Sequence, residues 1–252
     1  MEKFGKSQPV VRVEDQRFLT GQGRYVDDIA PEGALYAYVL RSPVAHGEIA
    51  ELDVEDAREV EGVHLVVTAA DLAEAGVTEG MAFNTVKNRD GSKAAAPRRP
   101  ILSEGRVRFV GEPVAMVVAD SLDAARDAAE AVMLDIDDLP VHMEIGPGGT
   151  PLHHEAPDNR AFDWGMGDED AVEAVIKDAA HVVRLALHDN RIIANPMEPR
   201  GCYAEMEGGR LHVAVNGQGV WGTKRNLARI LSMAPEDIRV TNPDTGGGFG
   251  MK

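Results

Sequence analysis

Residues 107–139 constrain the fold more than any other stretch of the chain. Residues 107–120 (VRFVGEPVAMVVAD) are two apolar runs around Gly111, Glu112 and Pro113. The second run is short and rich in valine, as a buried strand is. The alanine-rich SLDAARDAAEAVM follows at 121–133, then LDIDDL at 134–139. Alanine loses no side-chain entropy in a helix, and Ser121 stands where its hydroxyl can accept an orphan N–H of the first turn, so 121–133 is expected to be helical. LDIDDL alternates apolar and acidic residues in the manner of a strand with one wet face. Strand, helix and strand within about 35 residues predict a βαβ-type unit, hence a mixed α/β layer.

The remaining pattern agrees with that class. Residues 34–40 (ALYAYVL), 48–54 (EIAELDV) and 63–68 (VHLVVT) read as strands, and Asp71 as the cap of a short turn at 72–75. The first 30 residues lack sustained periodicity and are expected to be extended, with turns. Residues 80–100 carry turn formers and no period, which predicts a surface excursion. Residues 140–159 concentrate Gly, Pro, His and acid and present no apolar face, so they read as an interdomain linker. Beyond it, 168–180 predicts a helix with acid at its positive end, 181–193 a long strand, and 200–216 a hairpin turning at Glu207, Gly208 and Gly209. An amphipathic helix at 220–233 has Val220, Leu227, Ile230 and Leu231 on one stripe. A short strand at 237–241 then leads into a glycine run.

Charge and cysteine content remove whole classes of function. The formal net charge of −16 argues against nucleic acid, because phosphate recognition needs a concentrated basic face. No apolar run approaches the roughly 20 residues of a membrane span, and the N-terminus lacks the apolar core of a secretory signal. One cysteine, Cys202, forms no internal disulfide and no iron–sulfur or Cys-based zinc site by itself, so a reducing cytoplasm is the expected location. Cys202 is expected to be a packed thiol.

Two glycine-rich turns can carry chemistry. The final seven residues, GGGFGMK, contain four glycines, and consecutive glycines let a ligand approach backbone N–H groups closely. The spacing matches neither a Walker A loop nor a GxGxxG fingerprint, and by itself leaves a tight turn or a disordered end equally open. Asn216-Gly217-Gln218-Gly219 lies between a strand end and a helix start, where a side-chain amide and backbone N–H groups can point the same way; a position near a helix cap is the plainer alternative. The eight histidines show no HExxH, and His153 with His154, or His181 with His188, are expected to be solvated or packed. Asp27 with Asp28, and Asp135, Asp137 and Asp138, bind a cation only if the fold gathers them. In PMEPR (196–200), two prolines fix an extended crossover that presents Glu198 and Arg200 either to a site or to a buried ion pair.

GRYVDDI (23–29), RSPVAHGEI (41–49), VRFVGEPVAMVVAD, PMEPRG (196–201), the Gln218 turn with the helix after it, and GGGFGMK occur in the same order as in the molybdenum-binding subunit of the xanthine dehydrogenase/aldehyde oxidase family, which the chain resembles over nearly its whole length. The resemblance implies an extended segment at 1–17, an α/β hammerhead domain at 18–140, a linker at 141–160, and at 161–252 the start of the first molybdopterin-binding α+β domain. It implies that Gln218 hydrogen-bonds an oxygen of the molybdenum centre and that Phe249 brings its N–H near the metal, with Gly247, Gly248 and Gly250 shaping the loop; none ligates molybdenum directly. The implied cofactor is molybdenum–molybdopterin in the cytosine dinucleotide form. The implied activity is hydroxylation of an aldehyde or N-heterocycle with oxygen from water, electrons leaving to iron–sulfur and FAD subunits.

Asn216-Gly217-Gln218 stands where the family commonly has Ser-Thr-Gln, and Met251 where glycine is frequent. The family subunit continues for several hundred residues beyond the glycine loop, and that part holds most pterin contacts and the general-base glutamate. No catalytic residue is therefore assigned here. The expected partners are the remainder of the molybdenum-binding subunit, an iron–sulfur subunit, a FAD subunit and a small-molecule substrate, and the chain alone is expected to be inactive. The competing expectations are a truncated or vestigial hammerhead domain acting only in subunit contact and, more remotely, a nucleotide-binding module.

Overall fold

The computed structural model of the protein describes residues 9–81, 86–190 and 192–252. In chain order its helices and strands begin with α1 (Asp15–Leu19), β1 (Tyr36–Arg41), β2 (Gly47–Asp53), α2 (Glu55–Arg58), β3 (Val63–Val67) and α3 (Ala69–Glu74). There follow β4 (Arg106–Val107), β5 (Pro113–Ala119), α4 (Leu122–Ala131), β6 (Met133–Asp138) and α5 (Glu169–Asp178). The last are β7 (Cys202–Glu207), β8 (Arg210–Val215), α6 (Val220–Ile230) and β9 (Ile238–Thr241). They gather in two compact units: residues 33–190 form one, and in the other the residues before 33 join those after 190. Among the described residues no helix is long and apolar enough to cross a membrane.

In the unit of residues 33–190, the valine run of β5 is the centre of a three-stranded sheet ordered β1-β5-β3, antiparallel throughout. With a strand on each side and α4 over one face, Val114, Ala115, Val117 and Ala119 are fully buried. Burying a valine side chain is worth roughly 1.5–3 kcal/mol. On α4 the small residues Ala125, Ala128 and Ala129 meet Val66, Val117, Ala119, Ala57 and Val54, so helix and sheet approach closely. Ser121 caps α4 as its type predicts, its hydroxyl accepting the Ala124 N–H at 3.1 Å. A second antiparallel sheet runs β4-β2-β6. Its wet face carries Asp135 and Asp137, which the fold does not gather into a cation site.

Several expectations are corrected here. Strand, helix and strand at 113–138 do not make a βαβ unit, because β5 and β6 belong to different sheets; sequence spacing gives the order of elements and not the partner of each strand. Thr68, not Asp71, caps α3. Its hydroxyl accepts the Asp71 N–H at 3.4 Å while the Asp71 carboxylate accepts the Thr68 N–H at 2.7 Å, the reciprocal arrangement of a capping box. The Thr68 hydroxyl, which donates to the Asp71 carboxylate at 2.6 Å, and then the Thr68 N–H hold the Asp71 carboxyl below the usual carboxylate range. Residues 181–193 show no strand among those described, and Val183, Leu185 and Leu187 are exposed. Alternation marks a face, but a strand also needs a neighbour to pair with.

The excursion at 80–100 is anchored where it is described. The Arg89 N–H donates to the Asp163 carbonyl at 2.8 Å, and the Ala95 N–H to the Ala161 carbonyl at 2.9 Å; residues 82–85 lie outside the described residues. Within 140–159 the Asn159 amide donates to the Gly148 and Thr150 carbonyls, both at 2.9 Å, and ties that stretch into a set of turns. His46, almost fully buried, donates from Nδ1 to the Pro140 carbonyl at 2.8 Å, and its Nε2 has no partner among the described residues.

In the other unit β7 and β8 form a hairpin closed by Gly208 and Gly209, whose φ values of 56° and 83° suit a two-residue turn that follows strand twist. β9 pairs with β8 in parallel, and α6 is the crossover between them. Among the described residues this is the parallel strand-helix-strand unit, at a place other than the one the sequence suggested. The stretch before residue 33 is less extended than expected: α1 is a short helix, and Val26–Asp28 form a 3-10 turn closed by the Asp28 carboxylate on the Tyr25 N–H at 2.8 Å.

Candidate functional site

Parallel pairing decides where the two glycine-rich segments lie. Because β8 and β9 run the same way, the turn leaving β8 (216–219) and the loop leaving β9 (242–252) emerge from the same end of the sheet, the end at which parallel α/β units bind ligands. Asn242 confirms the adjacency by donating its amide to the Gly217 carbonyl at 2.6 Å. The arrangement brings Gln218 against Gly248: a Cβ added there would lie 3.0 Å from Gln218 Cδ and 3.2 Å from Nε2. Glycine at 248 thus leaves the space that the amide side chain fills.

The loop forms a short arch. Gly247 and Gly250 have φ of 101° and 79°, and Phe249 between them has φ of 51°, left-handed for a residue with a Cβ. Such a conformation costs on the order of 1–3 kcal/mol and persists where the surroundings impose it. The Met251 N–H closes the arch on the Gly248 carbonyl at 2.9 Å. Among the described residues no acceptor faces the N–H groups of Gly247, Gly248, Phe249 and Gly250. The Phe249 ring is 77% exposed. Gln218, Gly247, Gly248, Phe249 and Gly250, all singled out from sequence, therefore stand at one place.

The crossover at 196–201 sits beneath the arch. Asn216 is buried and is no ligand: its amide donates to the Pro199 carbonyl at 2.6 Å and accepts the Gly201 N–H at 3.1 Å. Pro196 backs Gly247, whose added Cβ would meet its ring at 3.0 Å. The Glu198 carboxylate accepts the Gly246 N–H and the Lys252 ammonium, each at 2.7 Å. Burial works to raise its pKa, but these bonds outweigh it and hold the carboxyl below the ordinary range. Of the two readings left open for Glu198, the ion pair is present, and its base is Lys252 rather than the nearby Arg200. Arg200 donates from Nε to the Met251 carbonyl at 2.7 Å.

Sequence reading missed the contacts that hold the loop, since nothing local announces them: Lys252 to Glu198, and Asp244 to Arg17 and Arg24. It also missed a trio on the hairpin, Glu205, Glu207 and His212. The i, i+2 spacing on β7 and the pairing of Glu205 with His212 would have suggested it. Both His212 nitrogens are engaged, Nδ1 with Glu205 at 3.2 Å and Nε2 with Thr241 at 2.9 Å, while Glu207 pairs with Arg239 at 3.4 Å, so these groups are taken up by cross-strand partners. Cys202 is exposed rather than packed, because β7 is the edge strand of its sheet. His181 and His188 are exposed and bring no metal ligand to the loop.

Chemically, the arch offers donors. It presents several N–H groups and one primary amide within a few residues and no free thiolate, imidazole or carboxylate. That set suits a polar, negatively charged group held by hydrogen bonds, and does not suit a bare cation. A molybdenum–pterin group would be held here by hydrogen bonds from the Gln218 amide and the N–H groups of 247–250, a donor set that fits it.

The family model described as aldehyde oxidase and xanthine dehydrogenase, a/b hammerhead domain, matches residues 20–140, and that described as molybdopterin cofactor-binding domain matches residues 152–252. The chain is 39% identical to the nicotine 6-hydroxylase large subunit of Paenarthrobacter nicotinovorans, with 99% of the chain and 30% of the relative covered. It is 33% identical to the carbon monoxide dehydrogenase large chain of Hydrogenophaga pseudoflava, covering 95% of the chain and 31% of the relative. Among solved structures it is similar to quinoline 2-oxidoreductase from Pseudomonas putida 86 (TM-score 0.79, 34% identity, 96% of the chain and 30% of that structure). A Cu,Mo-CO dehydrogenase gives a TM-score of 0.80 at 29% identity, over 96% of the chain and 31% of that structure. The chain thus spans about 30% of the length of the relatives it matches.

Proposed function

The chain belongs to the aldehyde oxidase and xanthine dehydrogenase family, in the molybdenum-binding large subunit, and from that premise we propose that it supplies one wall of the molybdenum site of a hydroxylase. The observation that carries this reading is the meeting of Gln218 with the 246–252 arch at the carboxyl end of the parallel β8–β9 pair. The division into a hammerhead domain at 18–140, a linker at 141–160 and the beginning of a cofactor domain at 161–252 is part of the same reading, supported by the matches at 20–140 and 152–252.

Molybdenum–molybdopterin, in the cytosine dinucleotide form, supplies the redox and Lewis-acid chemistry with which an aldehyde or N-heterocycle is hydroxylated by oxygen from water. The residues of this chain hold and orient. The Gln218 amide, fixed against Gly248, presents a donor and an acceptor from one planar group. The N–H groups of Gly247, Gly248, Phe249 and Gly250 have no acceptor among the described residues and are donors available to negative charge at the centre. The exposed Phe249 ring lies against Gly247, where an added Cβ would meet its Cε2 at 3.0 Å. Glu198 does not serve as base, because its carboxylate is engaged by Lys252 and the Gly246 N–H. The general base accordingly belongs to the remainder of the molybdenum-binding subunit. Electron transfer to iron–sulfur and FAD subunits is part of the same reading; within these residues Cys202 alone builds no cluster, and a cytoplasmic location fits that cysteine usage.

Elemental analysis tests the proposal. The chain purified alone is expected to carry little or no molybdenum, and its complex with the remaining parts of the enzyme close to one atom per copy. Stoichiometric metal in the isolated chain would contradict the division of the site.

A further inference from the structure

The arch at 247–250 has two feet, and one carboxylate holds both. Glu198 Oε2 accepts the Gly246 N–H and the Lys252 ammonium at 2.7 Å, while the Glu198 N–H donates to the Gly246 carbonyl at 3.2 Å. The approach is close enough that a Cβ on Gly246 would lie 2.4 Å from Glu198 Cβ, so only glycine serves there. The Lys252 side chain is 1% exposed and that of Glu198 14%. An ammonium so buried has to be paired, which makes this contact unlike a surface ion pair. Glu198 itself stands on a stiff crossover between Pro196 and Pro199, and Arg200 adds a bond to the Met251 carbonyl at 2.7 Å.

We propose that Glu198 is a positioning residue for the cofactor: by clamping Gly246 and Lys252 it fixes the span of the arch and so holds the free N–H groups of 247–250 beside Gln218. The inference rests on the reading of the arch as part of the molybdenum site. It gives Glu198 a role through the loop, with no contact to substrate or metal.

The test uses the holoenzyme that contains this chain and two readouts, amide hydrogen exchange of a peptide spanning 244–252 and molybdenum content by elemental analysis. Glu198→Ala is expected to speed exchange at 244–252 by about tenfold or more while the hairpin at 202–215 keeps its rate, and to lower molybdenum content to below about a third of the unaltered enzyme's. Glu198→Gln keeps an acceptor for Gly246 and loses the charge opposite Lys252, so it should fall between, and Lys252→Arg should restore nearly the original values. If Glu198→Ala does not fold, Glu198→Gln and Lys252→Met carry the comparison. Unchanged exchange at 244–252 would overturn the clamp. Faster exchange with full molybdenum would overturn its role toward the cofactor. An unaltered holoenzyme without molybdenum would overturn the reading of the site itself and with it that role, while exchange still decides the clamp.

Discussion

Arg17 and Asp244, 227 residues apart in sequence, are joined by two parallel hydrogen bonds, one of them Nη2 to Oδ1 at 2.6 Å. The same carboxylate accepts the Arg24 N–H at 2.6 Å, and the Asp244 N–H returns a bond to the Arg24 carbonyl at 2.9 Å. The first described residues are thereby fastened to the strand exit from which the arch departs. Loosening either partner should free the N-terminal arm first. Arg17→Ala and Asp244→Asn are each expected to raise chymotryptic cleavage beside Phe18 severalfold, with the fold of residues 33–190 unaffected; equal cleavage in variant and parent would show that the pair does not hold the arm.

Asp244 also gives a pH dependence of definite sign. The bond from Arg17, followed by that from the Arg24 N–H, holds its carboxyl below the ordinary range. A carboxyl depressed in the folded state stabilises fully above its unfolded value, about 3.9, and loses that contribution as pH falls through its folded value. The difference in thermal midpoint between the parent and Asp244→Asn should therefore be constant from pH 8 to about pH 5, begin to shrink near the unfolded value of about 3.9, and vanish only once pH falls below the lower folded value. A difference already shrinking between pH 7 and 6 would assign the stabilisation to another group.

The α4 contact predicts two stability changes. Ala128 is fully buried against the sheet, so Ala128→Leu should destabilise by about 1–3 kcal/mol through overpacking. Ser121→Ala removes the cap on the Ala124 N–H and should cost about 1 kcal/mol. Thermal melts of the two variants and the parent give the check, with a midpoint shift of roughly 2–8 °C per kcal/mol.

These positions also show what the sequence made legible. α4 with its Ser121 cap and the Gly208–Gly209 hairpin are local patterns, and each lies where its residues indicate; Gln218 and the glycine loop are legible as glycine-rich turns, and the fold sets Gln218 beside Gly248. What escaped is pairing over distance. The strand pattern at 113–138 did not say that β5 and β6 lie in different sheets, and the alternation at 181–193 did not guarantee a partner strand. Glu198 is visible as a residue held by two prolines, but its choice of Lys252 over Arg200 depends on where β9 delivers the segment that follows it, 242–252. Thr68 was overlooked beside Asp71 because a capping box uses both.

At the site, Gly248→Ala places a methyl 3.0 Å from Gln218 Cδ and must displace the amide. Turnover by the holoenzyme should fall roughly tenfold to a hundredfold, with the thermal midpoint nearly unchanged because the loop lies outside the packed core. Full activity in this variant would mean that the Gln218 position is unimportant.

The most direct test is a structure of the holoenzyme containing this chain, with molybdenum located by its anomalous scattering. A peak beside the Gln218 amide and the N–H groups of Gly247, Gly248, Phe249 and Gly250 is the predicted result. A molybdenum peak elsewhere, or none with the arch facing only solvent or protein, would contradict the account.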